Sequence, residues 1–374
     1  MPSDSSPLFR RAADLPVAVA ASGCWVVDAD GRRYLDAAGG AIVVGIGHGD
    51  AEVAAVLADQ AGRLAYVHPT AFTTEAVERY AAELAPRLPM DDPVIYPVSG
   101  GSEAVETALK AARAFHLAAG EPERTVVIGR GLSYHGNTRG ALDVSGRVSL
   151  RDPYLPWLGH AGRVPAVLEY RCPNPDHPDG CAAWHAAQLD ATIERLGPTR
   201  VAAFVAEPIG GAASGAAVPP PGYWEAIGDV CRRHGVLLVA DEVMTGFGRT
   251  GRWFGCEHVG LRPDLLVAAK GASSGYWPLG VCAMSSRVAS AIEGRFVHGF
   301  TWSHHAVGAA VGSTVLRRLR QDNLVEAAAA RGARLLEALT ASLDDHPHVG
   351  DVRGVGLLVA VELVADRATK RPFP

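Results

Sequence analysis

Hydrophobic and polar positions alternate with two different periods through the middle of the chain. Short apolar runs rich in β-branched residues, each ending in a polar or glycine-rich stretch, predict strands at 94–98, 125–129, 201–206, 236–241, 265–269 and 280–284. Between them, helical patterns cover 103–118, 188–196 and 221–234. This alternation of strand and helix predicts a mostly parallel sheet with helices on both faces.

The two ends of the chain show different patterns. Near the start, WVVDADGRRYLD predicts a hairpin that turns at Asp30 and Gly31. After about residue 305 the pattern is helical over 307–320 and 324–343, and an apolar strand, GLLVAVELV, follows. We therefore expect residues 46–305 to form a large domain, and residues 1–45 and 306–374 to form the two parts of a smaller α+β domain.

Composition limits the classes of function. The 374 residues are 48% hydrophobic and 20% charged, which is typical of a globular protein that folds in water. The formal charge is −5 and the basic residues are scattered, so nucleic acid is not an expected partner. No apolar stretch approaches the roughly 20 residues that span a bilayer, and the first residues lack a signal-peptide pattern. The sequence thus predicts a cytoplasmic protein without a membrane partner.

One segment carries several possible metal ligands. RCPNPDHPDGCAAWH brings Cys172, His177, Cys181 and His185 within fourteen positions. Zinc sites usually contain closer Cys-x-x-Cys pairs, and the Pro, Asp and Gly content is typical of a surface loop. We therefore expect no metal, and the six cysteines of so long a chain do not predict a disulfide framework.

A glycine-rich turn follows the strand predicted at 94–98. In SGGSEAVETALKAARAFH, Gly100 and Gly101 let the backbone approach a ligand closely, and Ser102 adds a hydroxyl. The helix that follows directs free amides and the positive end of its dipole to the same place, which favours a phosphate site. Glu103 and Glu106 also suit an ordinary helix start, so this pattern alone leaves both interpretations open.

An aspartate and a lysine end two successive predicted strands. A buried carboxylate such as Asp241 is costly unless it meets a cation or a strong donor, although a lone aspartate is more often a cap or part of an internal ion pair. The next strand brings Lys270 to the same edge, where a desolvated amine is easier to deprotonate and can attack an aldehyde. Ligands of such sheets bind outside the carboxyl ends of the strands, so we expect these groups to converge there.

Two other functions fit parts of the pattern. Gly246, Gly248 and Gly251 in GFGRTG match the dinucleotide-binding fingerprint of a dehydrogenase. That fingerprint opens a helix, whereas this chain continues with RWFGCEHVG, so a dehydrogenase is disfavoured. A protein that binds a cofactor without catalysis is the other alternative, and it would require an exposed Lys270 or an incomplete pocket.

The sequence resembles the class III aminotransferases, which are pyridoxal-phosphate enzymes of fold type I. The resemblance extends from about Val26 to the end of the chain, and its motifs occur in the family's order and at close to its usual spacing. They are VSGGSEAVETALKAAR, SYHGNTRGAL, FVAEPIGG, LLVADEVMTGFGRTG, DLLVAAKGASSGYWPLG and HGFTWSHH. The resemblance implies pyridoxal 5'-phosphate as cofactor and transfer of an amino group between an amine or amino acid and an oxo acid.

The resemblance also implies roles around the cofactor ring. Lys270 would form the Schiff base and later carry a proton, and Asp241 would pair with the protonated ring nitrogen. Val243 would pack on one face of the ring and Tyr134 on the other, with His135 next in the same Tyr-His-Gly triplet. The same apparatus supports racemisation, decarboxylation and intramolecular amino transfer, but transamination is the commonest outcome in the family.

Further implied roles concern the phosphate, the substrate and a second subunit. Gly101 and Ser102 would hold the phosphate, and Thr301 would reach the phosphate of a neighbouring subunit, which implies a homodimer with shared active sites. Glu207 corresponds to a pocket glutamate that often pairs with a substrate-binding arginine. Ile42 stands near where amine-using relatives often carry an aromatic residue, which leaves the substrate class open.

The last residues carry one more expectation. In relatives, the segment matching GLLVAVELVADRATKRPFP is followed by further residues that complete the small domain and carry the arginine that grips the substrate carboxylate. We therefore expect this chain to lack that clamp and to expose apolar surface on GLLVAVELV. Arg353 precedes the strand and is expected to belong to the domain fold.

Overall fold

The computed structural model describes residues 15–159, 161–174 and 180–374. Its strands are, in chain order, β1 (Ala18–Ser22), β2 (Trp25–Asp28), β3 (Arg33–Leu35), β4 (Val94–Val98), β5 (Val126–Arg130), β6 (Gly162–Val164), β7 (Val201–Ala206), β8 (Leu237–Asp241), β9 (Leu265–Ala268), β10 (Gly280–Met284), β11 (Val349–Val355) and β12 (Leu358–Leu363). All six strands predicted for the middle of the chain are confirmed, with ends that differ by one residue at most.

The helices follow the predicted order but are more numerous. They are α1 (Gly39–Ile42), α2 (Ala51–Arg63), α3 (Glu75–Leu84), α4 (Gly101–Ala118), α5 (Arg139–Val144), α6 (Val148–Arg151), α7 (Cys181–Leu196), α8 (Tyr223–His234), α9 (Ser286–Ile292), α10 (Ala306–Gln321) and α11 (Leu324–Leu343). The helix predicted at 188–196 begins earlier, at Cys181. None of the helices in the described part of the chain is long and apolar enough to cross a bilayer.

Seven strands form the central sheet, in the order β4-β10-β9-β8-β7-β5-β6. The pairs β9-β8, β8-β7, β7-β5 and β5-β6 are parallel, whereas β10 is antiparallel to both β4 and β9. The predicted α/β class with a mostly parallel sheet is therefore confirmed.

Alternate residues of the central strands face two separate apolar cores. Val205 and Val239 belong to the core beneath α4, whereas Phe204 and Leu238 belong to the core that α7, α8 and α10 cover on the opposite face. Successive side chains of a strand point to opposite faces, so strands buried on both sides are apolar at nearly every position. This arrangement explains why the sequence shows continuous apolar runs there.

Two small antiparallel sheets lie outside the central one. In the first, β2 pairs with β1 and β3, and the predicted hairpin is confirmed, with Gly31 at φ +79° in the connection. Asp28 holds this turn, because its carboxylate accepts from the amides of Asp30 (3.0 Å) and Arg32 (2.8 Å) and from the hydroxyl of Tyr34 (2.7 Å).

The second small sheet is the β11-β12 hairpin, against which α11 packs. The sequence predicted β12 but not β11, because GDVRGV has two glycines and alternating charges in place of a β-branched run. Val359 to Val361 are partly covered and Leu363 is 58% exposed, so exposed apolar surface on this strand is limited to its end. Helix α10 packs on α2 and α3, and the expected division at 45 and 305 stays a prediction.

Candidate active site

A cavity of about 430 Å³ opens where strands β7, β8 and β9 end. Its walls include all three groups that the sequence placed at this edge: Gly101 and Ser102, Asp241, and Lys270. The predicted convergence is thus observed. Tyr134, His135, Glu207 and Val243 also line the cavity, together with Val43, Met244, Trp277 and Leu279.

Asp241 is the last residue of β8 and is 3% exposed. One carboxylate oxygen, Oδ2, lies 2.7 Å from Nδ1 of His135, and the other accepts from the amide of Val243 at 2.9 Å. Burial disfavours a charged imidazole, but the hydrogen bond and charge of Asp241 outweigh it, so the pKa of His135 is raised. Asp241 therefore has a hydrogen-bonding partner inside the protein, and that partner favours its ionised form.

Lys270 follows β9 in a short helical turn and has a left-handed backbone, with φ +43°. A non-glycine residue is strained in this region, and such strain is retained where the surrounding structure fixes the residue. Burial lowers the pKa of Lys270, and the nearby charges of Asp241 and Glu207 partly offset that effect. The amine is thus easier to deprotonate than an exposed lysine would be.

The start of α4 has the free amides that the sequence predicted there. Gly100 is extended and α4 begins at Gly101, so the first amides of the helix have no partner within the helix. A Cβ at Gly101 would lie 3.1 and 3.2 Å from the two methyl groups of Val243, so a side chain there would push against that residue. The absence of a Cβ keeps this backbone accessible from the cavity.

The two glutamates in the first turns of α4 accept hydrogen bonds from other parts of the protein. Glu103 accepts a hydrogen bond from the hydroxyl of Ser99, and Glu106 accepts from the amide of Gly140 at 2.8 Å, at the start of α5. Both carboxylates therefore bind protein groups. The helix start is well made as a structural element and also offers its free amides to a ligand, so the two interpretations are compatible.

The turn that contains the Tyr-His-Gly triplet packs against Ser102, at the start of α4. Gly136 has φ +135°, and a Cβ there would lie 2.3 Å from the hydroxyl oxygen of Ser102. That hydroxyl accepts from the amide of Asn137 at 3.2 Å. The turn thus brings Tyr134 and His135 to the cavity while its next residues fix Ser102.

Glu207 directly follows β7 and is 5% exposed. Its Oε1 accepts from the amide of Tyr134 at 3.4 Å, and its Oε2 lies 3.7 Å from Nη2 of Arg130. Burial raises the pKa of Glu207, although the charges of His135 and Arg130 act in the opposite direction. The sequence indicated Glu207 but gave no signal for Arg130.

Two residues from the predicted set lie outside the cavity lining. Ile42 has φ +60° and packs in a small cluster with Ile209, Met244 and Leu358, while its neighbour Val43 reaches the cavity. Thr301 is exposed in the turn at 301–304. The structure of a single chain does not bring Thr301 to the site.

Other sequence motifs have structural roles. The segment containing Gly246, Gly248 and Gly251 forms turns and opens no helix, so the dinucleotide fingerprint was a chance match. The guanidinium of Arg353 donates to the carbonyls of Ser214 and Gly215 and pairs with Asp351 and Glu362, which confirms a role in the fold.

The possible metal ligands are only partly described. His177 lies outside the described residues, whereas Cys172, Cys181 and His185 lie within them. Across residues 15–159, 161–174 and 180–374, no group of three or more His, Cys, Asp or Glu side chains is arranged to hold a metal ion.

Comparison with known proteins agrees with this geometry. The family model for class III aminotransferases matches residues 10–373. A probable aminotransferase of Mycobacterium tuberculosis is 40% identical over 362 residues, which are 96% of this chain and 77% of that protein. Putrescine–pyruvate aminotransferase of Pseudomonas aeruginosa is 35% identical over 94% of this chain and 78% of its own.

Solved structures show the same likeness. An (S)-enantioselective omega-transaminase from Thermomicrobium roseum matches with a TM-score of 0.92 and 40% identity, over 100% of this chain and 84% of its own. An amine transaminase from an uncultivated Pseudomonas species, solved with pyridoxal phosphate bound, gives 0.93 and 37% over 98% and 86%. The chain therefore belongs to the class III aminotransferases, the pyridoxal-phosphate enzymes of fold type I that move an amino group between an amine or amino acid and an oxo acid.

Proposed function

We propose that Lys270 is the residue that binds the cofactor covalently and that Asp241 pairs with its ring nitrogen. The observation that supports this assignment is the convergence of a desolvated amine, a buried carboxylate and the free amides of α4 on one cavity of about 430 Å³. When bound, the pyridine ring of pyridoxal phosphate stabilises the negative charge that develops on the substrate carbon.

The residues present fit this cofactor. Gly101 and Ser102 offer backbone amides and a hydroxyl to a phosphate, and the missing Cβ at Gly101 leaves the backbone open to it. Val243 and Tyr134 both line the cavity and supply an apolar and an aromatic surface for the two faces of a planar ring. Asp241 keeps a lone pair on each oxygen besides its bonds to His135 and Val243.

The chain's own groups then divide the work. Asp241 supplies a fixed negative charge, which stabilises a proton on a ring nitrogen placed against it. The amine of Lys270, once displaced by an incoming amine, is a base close to the reacting carbon and can take a proton from it and return it elsewhere. His135 holds the carboxylate of Asp241 through Oδ2, which fixes the position of that charge.

The substrate side of the site is formed by Glu207, Met244 and Val43, and Ile42 packs against the same small apolar cluster as Met244. Glu207 places a carboxylate there, which favours a cationic partner, either a charged group of the substrate or a guanidinium that itself binds the substrate carboxylate. This wall therefore selects the amino donor and the oxo acid.

We further propose a homodimer in which Thr301 reaches the phosphate site of the partner subunit. Thr301 lies in an exposed turn beside Trp302, which is 55% exposed and contacts the ring of Tyr66 at 6.0 Å. Val297, in the same segment, is 88% exposed. Large exposed apolar side chains within one short segment support burial of that segment against another chain.

A cytoplasmic location is the last part of the proposal. Cys231, Cys256 and Cys282 are buried as thiols, and burial raises the pKa of each, so all three are protonated and poorly reactive. Thiols that remain reduced in this way suit a reducing compartment.

The test is a panel of amines and amino acids offered with pyruvate or 2-oxoglutarate, with the absorbance of the bound cofactor recorded for each half-reaction. Amino transfer to at least one oxo acid, with the matching spectral change, is expected. Sedimentation of the active enzyme tests the dimer separately, since a fully active monomer would exclude a shared site. In the dimer, Thr301→Ala is expected to weaken cofactor binding, whereas Thr369→Ala, in a turn far along the chain, is not.

A further inference from the structure

Arg130 is a buried arginine at the end of the strand next to the one that carries Glu207. Strands β5 and β7 are parallel neighbours, with Ile128 opposite Phe204, so Arg130 and Glu207 both lie where their strands end. Arg130 is 3% exposed and does not line the cavity, whereas Glu207 does. The two residues therefore meet across the cavity wall.

Two contacts join Arg130 to Glu207. Nη2 donates to the backbone carbonyl of Glu207 at 2.8 Å and lies 3.7 Å from its carboxylate oxygen Oε2. In the described part of the chain, that oxygen has no hydrogen-bond partner, and neither does Nη1 of Arg130. A buried carboxylate so poorly supplied with donors depends on the neighbouring positive charge to remain ionised.

The surroundings fix the guanidinium. Its carbon lies 5.9 Å from the ring centre of Trp224 and 6.0 Å from that of Tyr223, and Trp224 donates through Nε1 to the carbonyl of Pro208 at 3.0 Å. The carbonyl of Arg130 accepts from the hydroxyl of Ser133 at 2.6 Å, at the start of the turn that carries Tyr134. Arg130 thus contacts both the turn that carries Tyr134, whose amide donates to Glu207, and the helix that carries Trp224.

We propose that Arg130 is a positioning residue that keeps the Glu207 carboxylate charged and fixed in the cavity wall. Four charged or titratable groups surround that carboxylate: Arg130 and His135 on the β5 side, Asp241 at the end of β8, and Lys270 after β9. Arg130 and His135 favour the anion and Asp241 opposes it. By keeping Glu207 ionised, the arginine preserves a negative charge near the nitrogen of Lys270. Its own positive charge has the opposite effect on that nitrogen.

The opposite signs make the proposal testable. If Arg130 acts through Glu207, its removal lets the carboxylate neutralise, and the protonated form of the Lys270 nitrogen is disfavoured. If Arg130 acts only by its own charge, its removal favours that protonated form. The inference rests on the proposed attachment of the cofactor to Lys270, so the measured quantity is the pH midpoint at which the visible absorbance of the holoenzyme changes.

The variants are Arg130→Gln, which loses the charge but keeps an amide for the Glu207 carbonyl, and Arg130→Lys, which keeps the charge. Glu207→Gln is the reference. We expect Arg130→Gln to lower the midpoint by about half a pH unit or more, as Glu207→Gln does, and Arg130→Lys to lower it less. In the Glu207→Gln background, Arg130→Gln should lower it no further.

A midpoint that rises or stays unchanged in Arg130→Gln would overturn the proposal, and so would a further fall in the double variant. Loss of cofactor from both arginine variants, with Glu207→Gln still loaded, would also overturn it, because the arginine would then support the whole site. Lys270→Ala distinguishes a different failure: if it retained the same pH-dependent absorbance, the attachment to Lys270 would be wrong, whatever the arginine does.

Discussion

Nδ1 of His135 lies 2.7 Å from Oδ2 of Asp241, and both side chains are buried. The carboxylate at the end of β8 is thereby held by the turn after β5, two strands away in the sheet. The imidazole donates to one carboxylate oxygen, and Asp241 itself also lines the cavity, where it can meet a ligand. This pair explains how a buried carboxylate is tolerated without a cation from outside.

Asp241→Asn should slow turnover by about a hundredfold or more, because an amide supplies no negative charge to hold a proton on the ring nitrogen. Steady-state kinetics of the fully loaded variant measure this. Cofactor affinity should change much less than the rate, since the phosphate contacts are intact. An unchanged rate would mean that Asp241 is only structural.

His135→Gln should reveal a pH-dependent contribution to stability. The pKa of His135 is raised in the folded protein, so its ion pair with Asp241 contributes fully below the unfolded value of about 6.5 and is lost as pH rises through the higher folded value. Without cofactor, the wild type should therefore melt at a higher temperature than the variant. This difference in melting temperature should be largest near pH 6 and should shrink above the folded pKa. A difference in melting temperature that grows with pH would contradict the existence of this ion pair.

Gly101→Ala should weaken cofactor binding by roughly tenfold, because the new methyl group lies 3.1 Å from Val243 and displaces a side chain of the cavity wall. Titration of the cofactor-free protein with pyridoxal phosphate measures the affinity. In the Val243→Ala background there is room for the methyl group, so Gly101→Ala should weaken binding less there than it does in the wild type. Equal weakening in both would show that the clash is not the cause.

Arg353→Met should lower the free energy of unfolding by about 3 kcal/mol, because it leaves Asp351 and the carbonyls of Ser214 and Gly215 without their partner. Arg262→Met is the matched control, since its pair with Asp91 is exposed and should matter by less than about 1 kcal/mol. Urea unfolding of both variants gives the comparison. Equal losses would remove the special role of Arg353.

The sequence predicted six of the seven described strands of the central sheet, because the central ones are buried on both faces and are apolar at nearly every position, but it missed the short edge strand β6 (Gly162–Val164). It did not predict α2 and α3, although Asp50 and Thr74 cap them by accepting from the amides of Val53 and Val77. Helix α2 is alanine-rich and buries only Val53 and Gln60, whereas α3 buries Val77, Tyr80 and Leu84 against α10, which lies far along the chain. The caps and this spacing were the local signals that could have revealed both helices, whereas their partner α10 could not be read from the local sequence.

The residues of the candidate site also fall into those that the sequence predicted and those that it missed. Asp241 ends β8 and Lys270 closely follows β9, so strand prediction locates both, and the free amides of α4 follow a glycine pair that the sequence displays. Arg130 also ends a strand, but it was missed because the sequence does not distinguish it from an ordinary residue at a strand boundary. Its meeting with Glu207 depends on β5 and β7 being neighbours in the sheet, which strand order along the chain does not reveal.

The most direct test of the account is to reduce the cofactor-loaded enzyme with borohydride and locate the modified residue by peptide mass spectrometry. The chain has three lysines, Lys110, Lys270 and Lys370, so the assignment is unambiguous. The account predicts that the pyridoxyl group is found on Lys270 and that Lys270→Ala carries none. A label on Lys110 or Lys370, or an active enzyme that takes no label, would contradict it.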